Sequence, residues 1–412
     1  MNPERRTLFW IWLMMVVAYL DRTNITIAGP ALRASLHIGH TAFGYVLSAF
    51  TLGYALMQVP GGLLADRLGA KRILVAALIL WSIFTALTGL AWSLISLIAI
   101  RILFGFAEGL ENGAQFKLIG DTFDTRQRSL ANAIFLSALA VGPALGAPIT
   151  AKLVVLLGWR SVFAVFAVLG LIVAGLLALF LPNRSARDGE TPMAAGTTQA
   201  RAGASETLRG IRPWLAFGAY GFFNIAFWGF IGWMPSYLSE ARHITIEKLG
   251  AVSSIPYCCG FVGMVLLGRL GEKRLYAWRA AAVGVAYLLA ALFLTVTFRA
   301  VHLTQCLFGL SAAAFFLYGG FGPFWAVAMD LIPGELRGAL TGFVNLGGQI
   351  GGFIAPIAVG YLVTNTGSYT TGFIFMSGGL VLSSLCLFGL QIQRSLPRSL
   401  RVANGADEQE RS

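Results

Sequence analysis

The stretch DRLGAKRIL, residues 66–74, returns later in the chain as GRLGEKRLY, residues 268–276. Each copy follows a long apolar run and leads into another. A second pair obeys the same order: TRQRSLANAIF (125–135) is matched by GELRGALTGFV (334–344), which aligns Arg128 with Arg337. Basic loops recurring at matching places between apolar runs indicate an internal duplication. The chain is therefore expected to be built from two similar units.

Composition says what those units are made of. Of 412 residues, 57% are hydrophobic and only 12% charged, with a mean hydropathy of +0.74. A soluble protein carries about 25% charged residues, so this balance belongs to a chain that crosses a membrane many times. A spanning helix needs about 20 mostly apolar residues. Twelve runs qualify: 8–31, 42–65, 73–91, 94–116, 130–157, 160–181, 213–238, 249–271, 276–297, 302–331, 337–365 and 370–390. The first has no small-residue cleavage site after it and reads as a retained span rather than a signal peptide.

The net charge of +12 suggests nucleic acid until its placement is considered. With the N-terminus inside, 22 of the 30 Lys and Arg fall in cytoplasmic segments and six outside (Arg33, Lys152, Arg160, Arg242, Lys248, Arg299). The remaining two, Arg22 and Arg101, lie within spans. This asymmetry is the positive-inside rule and puts both termini in the cytoplasm. The basic charge is topological, and no nucleic-acid partner is expected.

The polar segment 182–212 interrupts the hydrophobic rhythm and reads as a flexible cytoplasmic linker. It divides the chain into an N-terminal six-helix bundle (1–181), a C-terminal six-helix bundle (213–390) and a cytoplasmic tail (391–412). Repeats of this kind place a binding cavity near the midplane and permit alternating access by rocking one half against the other. The four cysteines (Cys258, Cys259, Cys306, Cys386) lie in spans and read as packing residues; no metal-ligand spacing appears.

Ionisable residues inside spans are expensive and functional by default. Three acids lie deep in spans, Asp21, Glu108 and Glu111, whereas the four histidines (His37, His40, His243, His302) fall in outer loops or at span ends. If protons are carried, carboxylates carry them. In RILFGFAEGLENGAQF (101–116), Arg101 and Glu108 are seven residues apart and share a helix face, with Glu111 beside it. Burial disfavours an ionised carboxyl and a neighbouring guanidinium favours it, so proton occupancy there should respond to cavity opening and substrate arrival. Asp21 and Arg22, adjacent in one helix, point about 100° apart and are not expected to pair. Tyr54 with Gln58, and Asn345 with Gln349, each place two polar groups on one face.

GGLLADRLGAKR (61–72) resembles the signature loop of the major facilitator superfamily, matching it at Gly62, Asp66, Arg67, Gly69 and Lys71. The second copy keeps Arg269, Gly271, Lys273 and Arg274 but has Gly268 in place of the Asp. Asp-Arg in the first span, followed by R-x-x-x-G-x-x-E-G in the fourth, is similar to the anion:cation symporter branch, which includes bacterial sugar-acid:proton symporters and relatives of the sialic-acid carriers. WMPSYL (233–238), GWRSVF (158–163), PFWAVAMDLIP (323–333) and TGFVNLGGQIGG (341–352) add to the likeness.

The resemblance implies an all-α integral membrane protein of 12 transmembrane helices in two pseudo-symmetric six-helix bundles. It implies a proton-coupled uptake transporter for an organic carboxylate, not an enzyme, working without a metal or cofactor as a monomer in the bacterial inner membrane. Arg22 would hold the substrate carboxylate through its planar fork. Glu108 would be a proton site, with Asp21 a second one or a gate pairing with Arg101, and Glu111 a third candidate. Arg22 would thus be free for substrate while Arg101 answers to the acids. Tyr19, Tyr54, Gln58, Asn224, Trp325, Asn345 and Gln349 would line the cavity.

The pattern departs from sugar-acid members just before Trp325, where Gly322, Pro323 and Phe324 replace small hydroxyl residues, and at Tyr220, which stands for a glutamine. Span 5 offers only Asn132 and Ser137 as polar groups. A site reading several hydroxyls needs several polar partners, so a less hydroxylated acid, aromatic or short, is expected. The alternative is a proton-driven efflux antiporter. VGPALGA (141–147) matches half of the antiporter motif at Gly142, Pro143 and Gly146, but Ala138 replaces its earlier glycine.

Overall fold

The computed structural model describes residues 3–182, 210–273, 276–330 and 337–395. Helices α1 (Pro3–Ile27), α2 (Gly29–Leu36), α3 (His40–Leu68), α4 (Ala70–Gly89), α5 (Leu94–Gly109), α6 (Glu111–Thr122), α7 (Thr125–Leu136) and α8 (Ala138–Phe180) make up the first half. Helices α9 (Ile211–Ser236), α10 (Ile246–Lys273), α11 (Arg279–Arg299), α12 (Leu303–Gly319), α13 (Phe321–Asp330), α14 (Arg337–Thr366) and α15 (Tyr369–Ser395) make up the second. A π-helical turn, Tyr237–Ala241, follows α9.

Among the described residues, ten helices are long and apolar enough to cross a membrane. Two features reconcile ten with the expected twelve. Within α8, Gly158 has φ 77° and ψ 161°, so two spans meet there without a loop. The fourth span is broken at Leu110 into α5 and α6, neither long enough alone. The all-helical, twelve-span architecture follows. The linker expected over 182–212 and the tail from 391 lie largely outside the described residues, as do the side chains of Arg128 and Arg337.

The signature loop has a local cause. Gly69 sits at φ 89°, where L side chains are strained, and its N–H closes α3 on the Ala65 carbonyl (3.1 Å) before α4 begins. At the start of α5, Ser93 and Ser96 form a capping box: the Ser93 hydroxyl accepts from the Ser96 N–H (3.2 Å) and the Ser93 N–H donates to Ser96 Oγ (3.0 Å). Helix α5 then packs along α3. A Cβ at Gly53 would fall on the Ile102 carbonyl, and one at Gly105 on the Phe50 carbonyl. These two glycines let the backbones touch, the small-residue packing that membrane helices favour.

The residues group into two compact units. The first comprises the described residues of Met1–Glu190 with Gly229–Cys258 and Pro356–Gly372; the second comprises those of Thr191–Trp228, Cys259–Ala355 and Phe373–Ser412. Division at the linker alone would assign Gly229–Cys258 and Pro356–Gly372 to the second half of the chain. Instead the end of α9, the start of α10 and the end of α14 pack with the first. Serine 254 donates to the Ala144 carbonyl (2.9 Å), and Ile246 packs on Ile27, Ala147 and Ala151.

Candidate functional site: a buried charge cluster

Helix α1 buries a polar run, Asp21 to Asn24, that no amphipathic surface explains: Asp21 is 1% and Arg22 6% exposed. The cause lies on α5 and α6, where Arg101, Glu108 and Glu111 are equally buried. The Arg22 Nε–H donates to Glu108 Oε2 (2.7 Å), and Arg22 Nη2 lies 2.6 Å from that same oxygen. Glu111 Oε1 is 4.0 Å from Nη2. Three rings enclose the guanidinium, Tyr19 at 4.5 Å, Phe50 at 5.1 Å and Tyr54 at 5.0 Å. Such aromatic faces attract a cation by their quadrupole and exclude water from it.

Arg101 lies over Phe50 (5.2 Å) and Phe104 (4.5 Å), near enough to Asp21 and Glu108 for both to act on its charge. Asp21 Oδ1 accepts from Asn24 Nδ2 (3.2 Å), and its carboxyl faces Trp81 and Thr85 of α4. Glu111 Oε2 accepts from Gln115 Nε2 (3.0 Å). Three carboxyls thus face two guanidiniums. The hydrogen bonding is incomplete: Glu108 Oε1, Asp21 Oδ2 and Arg101 Nε are buried without a partner among the described residues. Buried polar atoms are paired in most proteins, so these three mark places where a proton, a water or a ligand completes the set.

Most of the residues singled out from sequence lie in the first unit: Tyr19, Asp21, Arg22, Tyr54, Gln58, Arg101, Glu108 and Glu111. Asp21 and Arg22 do not pair with each other, as expected. One expectation needs correction. Arg22 is not free: it is hydrogen-bonded to Glu108, while Arg101 answers to Asp21 and Glu108 through its charge alone. Seven residues of helix separate Arg101 from Glu108 by about 10 Å along the axis, so Glu108 reaches more easily across to α1. Tyr54 and Gln58 form the anticipated neighbouring pair on α3. In the signature loop Asp66 Oδ1 accepts from Lys117 Nζ of α6 (2.6 Å).

The second unit holds Asn224, Trp325, Asn345 and Gln349. Asn224 donates to the Tyr220 carbonyl one turn back (2.8 Å). Trp325 stands edge-on to Tyr220 (4.9 Å), which stacks on Phe324 (5.0 Å); Asn345 and Gln349 are half-buried. An aromatic wall of Tyr220, Phe223, Phe227, Tyr287 and Phe321 continues from there. Sequence reasoning passed over Phe50, Asn24 and Gln115. Each had a signal, since each lies three or four residues from a flagged residue (Tyr54, Asp21, Glu111) on the same helix face.

A second cluster in the first unit gathers around Glu240 of the π turn. Arg33 Nη2 of α2 pairs with Glu240 Oε1. His40 Nε2 of α3 is 2.7 Å from Glu240 Oε2, and the Tyr369 hydroxyl of α15 donates to that oxygen (2.9 Å). His40, which the sequence places in an outer loop or at a span end, has a carboxylate partner in the structure.

Comparison with known proteins identifies the family. Residues 11–356 match the model of the Major Facilitator Superfamily. The "Probable galactarate/D-glucarate transporter GarP" of Escherichia coli (strain K12) is 32% identical over 91% of this chain and 92% of its own. The "Hexuronate transporter" of Bacillus subtilis (strain 168) is 29% identical, over 92% and 93%. The "Probable sulfoacetate transporter SauU" of Cupriavidus necator is 31% identical, over 90% and 89%. In fold, a bacterial homolog of the human lysosomal transporter Spinster, crystallised inward-facing and unoccupied, superposes with a TM-score of 0.77 at 19% identity, covering 95% of this chain and 96% of its own. The chain, a multi-pass membrane protein and not an enzyme, belongs to the Major Facilitator Superfamily, a family of transporters.

Proposed function

We propose that this transporter is a proton-coupled symporter of organic carboxylates, working by alternating access in the bacterial inner membrane with both termini in the cytoplasm. Protons serve as the coupling ion, with no metal or cofactor, and the monomer is the working unit. The observation that carries this reading is the Arg22–Glu108 pair, with Glu108 Oε1 left unpartnered. Arg22 already holds a carboxylate, and a substrate carboxylate of the same geometry would compete with Glu108 for it. The exchange balances when a proton joins Glu108 as the substrate binds Arg22. The guanidinium is paired before and after, and no buried charge is stranded. Loss of that proton on the other side returns Glu108 to Arg22 and ejects the substrate.

Charge balance gives the remaining acids a role. Each elementary charge moved across the membrane is worth about 2.3 kcal/mol per 100 mV. Accumulating an anion against an interior-negative potential therefore needs more protons than substrate charges. Glu111 and Asp21 supply the further sites, with Arg101 balancing Asp21. Relatives named for galactarate/D-glucarate, hexuronate and sulfoacetate support an organic acid as cargo. Within that class, Phe324 and Tyr220 beside Trp325 favour an acid with fewer hydroxyls, aromatic or short. In proteoliposomes, a carboxylate panel offered with and without an inward proton gradient tests this; uptake indifferent to the gradient would sink symport.

A further inference from the structure

The cluster around Glu240 is separate from the Arg22 site, and its geometry is that of a fastening. Both oxygens of one carboxylate are engaged: Oε1 by Arg33, Oε2 by His40 (2.7 Å) and by the Tyr369 hydroxyl (2.9 Å). Arg33 and His40 lie on α2 and α3, whereas Glu240 and Tyr369 come from the turn after α9 and the start of α15. The charged or titratable groups around Glu240 are therefore Arg33, His40 and Tyr369. The pair is half-open to water, Glu240 being 28% exposed against 10% for Arg33.

Rings and hydroxyls surround the carboxylate. His40 stacks on Trp233 (6.0 Å) and stands edge-on to Tyr369 (5.9 Å). The Trp233 indole donates to the Pro356 carbonyl (3.1 Å). Next to His40 on α3, the Thr41 hydroxyl meets that of Thr364 on α14 at 2.8 Å, and the Thr41 N–H donates to Thr364 Oγ1 (3.2 Å). Every one of these residues belongs to the first unit, although Trp233, Glu240, Pro356, Thr364 and Tyr369 descend from the second half of the chain. The threonine hydroxyls separate with little loss, because water solvates them; the rings lose apolar burial on parting, a contribution without direction. Only the carboxylate hub has a charge and three directional partners.

By the positive-inside rule these helix ends face outwards. Alternating access moves one repeat against the other, so an outward opening must pull Glu240 and Thr364 away from Arg33, His40 and Thr41. We propose that Glu240 is the latch of the outer gate: its three-way contact holds the periplasmic ends closed, and its release is required for the outer side to open. The latch rests on the alternating-access reading but not on proton coupling. A failure of the symport test leaves it standing.

The test uses the full-length chain with Thr41→Cys and Thr364→Cys introduced together. Oxidation should link the pair, because a 2.8 Å hydroxyl separation places the two sulfurs within bonding reach. Linking should stop substrate uptake into proteoliposomes, and reductant should restore it. Glu240→Gln keeps the shape and removes the charge. In that background the cross-linking rate should fall at least fivefold, and labelling of a single Thr41→Cys by a membrane-impermeant maleimide should rise at least fivefold. Unchanged size-exclusion behaviour of the Glu240→Gln protein guards against misfolding. Two results overturn the latch: full transport by the cross-linked protein, or a folded Glu240→Gln variant with unchanged cross-linking and labelling. Unaltered cross-linking in a Lys117→Gln control, which breaks the Asp66 pair instead, is the expected counterpart; a loss there as large as with Glu240→Gln would also overturn the assignment.

Discussion

Two arginine–carboxylate pairs occupy the same compact unit and are not equivalent. At Arg22–Glu108 the side chains are 5% and 0% exposed, one Glu oxygen takes both contacts and the other has none. At Arg33–Glu240 the carboxylate reaches water, and both of its oxygens are engaged. Removing one partner from a buried pair strands a charge, at a cost of about 3–5 kcal/mol; a fully exposed pair contributes about 0–1 kcal/mol, and the part-buried Arg33–Glu240 pair lies between the two. Burial makes the first pair demanding of its partner, so that under the proposed exchange only another anion would replace Glu108. Partial access to water at Glu240 would let the second pair part and re-form, as the proposed latch requires.

The largest expected effect comes from breaking the buried pair on the arginine side. Arg22→Ala removes the guanidinium that bonds Glu108, and carboxylate binding should fall at least a hundredfold in a direct titration. Arg22→Lys should rescue little of it, because Nε and Nη2 both serve Glu108 and an ammonium has no such fork. Binding within fivefold of wild type in either variant would put the anion site elsewhere. The next largest effect concerns the scaffold that brings α5 to α3. Gly105→Val drives a side chain into the Phe50 carbonyl, and overpacking costs about 1–3 kcal/mol. A clear drop in Tm in detergent is expected, with the same change at the open position Gly62 as the neutral control.

Much of this contrast was legible in the sequence, and the missing part has a physical reason. Charges within apolar runs expose themselves, so Asp21, Arg22, Arg101, Glu108 and Glu111 could be named without coordinates. Gly69 could be named too, from the loop it recurs in. Partner choice could not. Helical periodicity puts Arg101 and Glu108 on one face, whereas the distance across to α1 decides which arginine Glu108 meets. The break at Leu110 follows Gly109 but leaves Leu110 itself at helical angles (φ −64°, ψ −29°), so the fourth span reads as continuous. The Glu240 cluster was the least legible. Its members, at positions 33, 40, 240 and 369, are ordinary polar residues near helix ends, and only the packing of helix ends from the second half with the first makes them neighbours.

Smaller effects sharpen the second pair. Trp233→Phe deletes the bond to the Pro356 carbonyl but keeps the ring, and a hydrogen bond is worth about 1 kcal/mol. Maleimide labelling at Thr41→Cys should rise by a few-fold, less than in Glu240→Gln; a larger rise would make the indole rather than the carboxylate the main fastening. Smallest of all, Asp66→Asn breaks a pair whose Asp side chain is 63% exposed, and Tm should shift by no more than a degree or two. A large shift would mean that the signature loop contributes to stability as well as to conformational change.

The competition at Arg22 is the centre of the account, and Glu108→Gln tests it most directly. In proteoliposomes with an imposed inward proton gradient, substrate uptake and internal pH are followed together, with counterflow exchange measured on the same preparation. Glutamine cannot ionise to displace the substrate or carry a proton. Gradient-driven accumulation and substrate-linked acidification should vanish in the Glu108→Gln protein while exchange continues. Accumulation and acidification at wild-type levels in the Glu108→Gln protein would contradict the competition at Arg22.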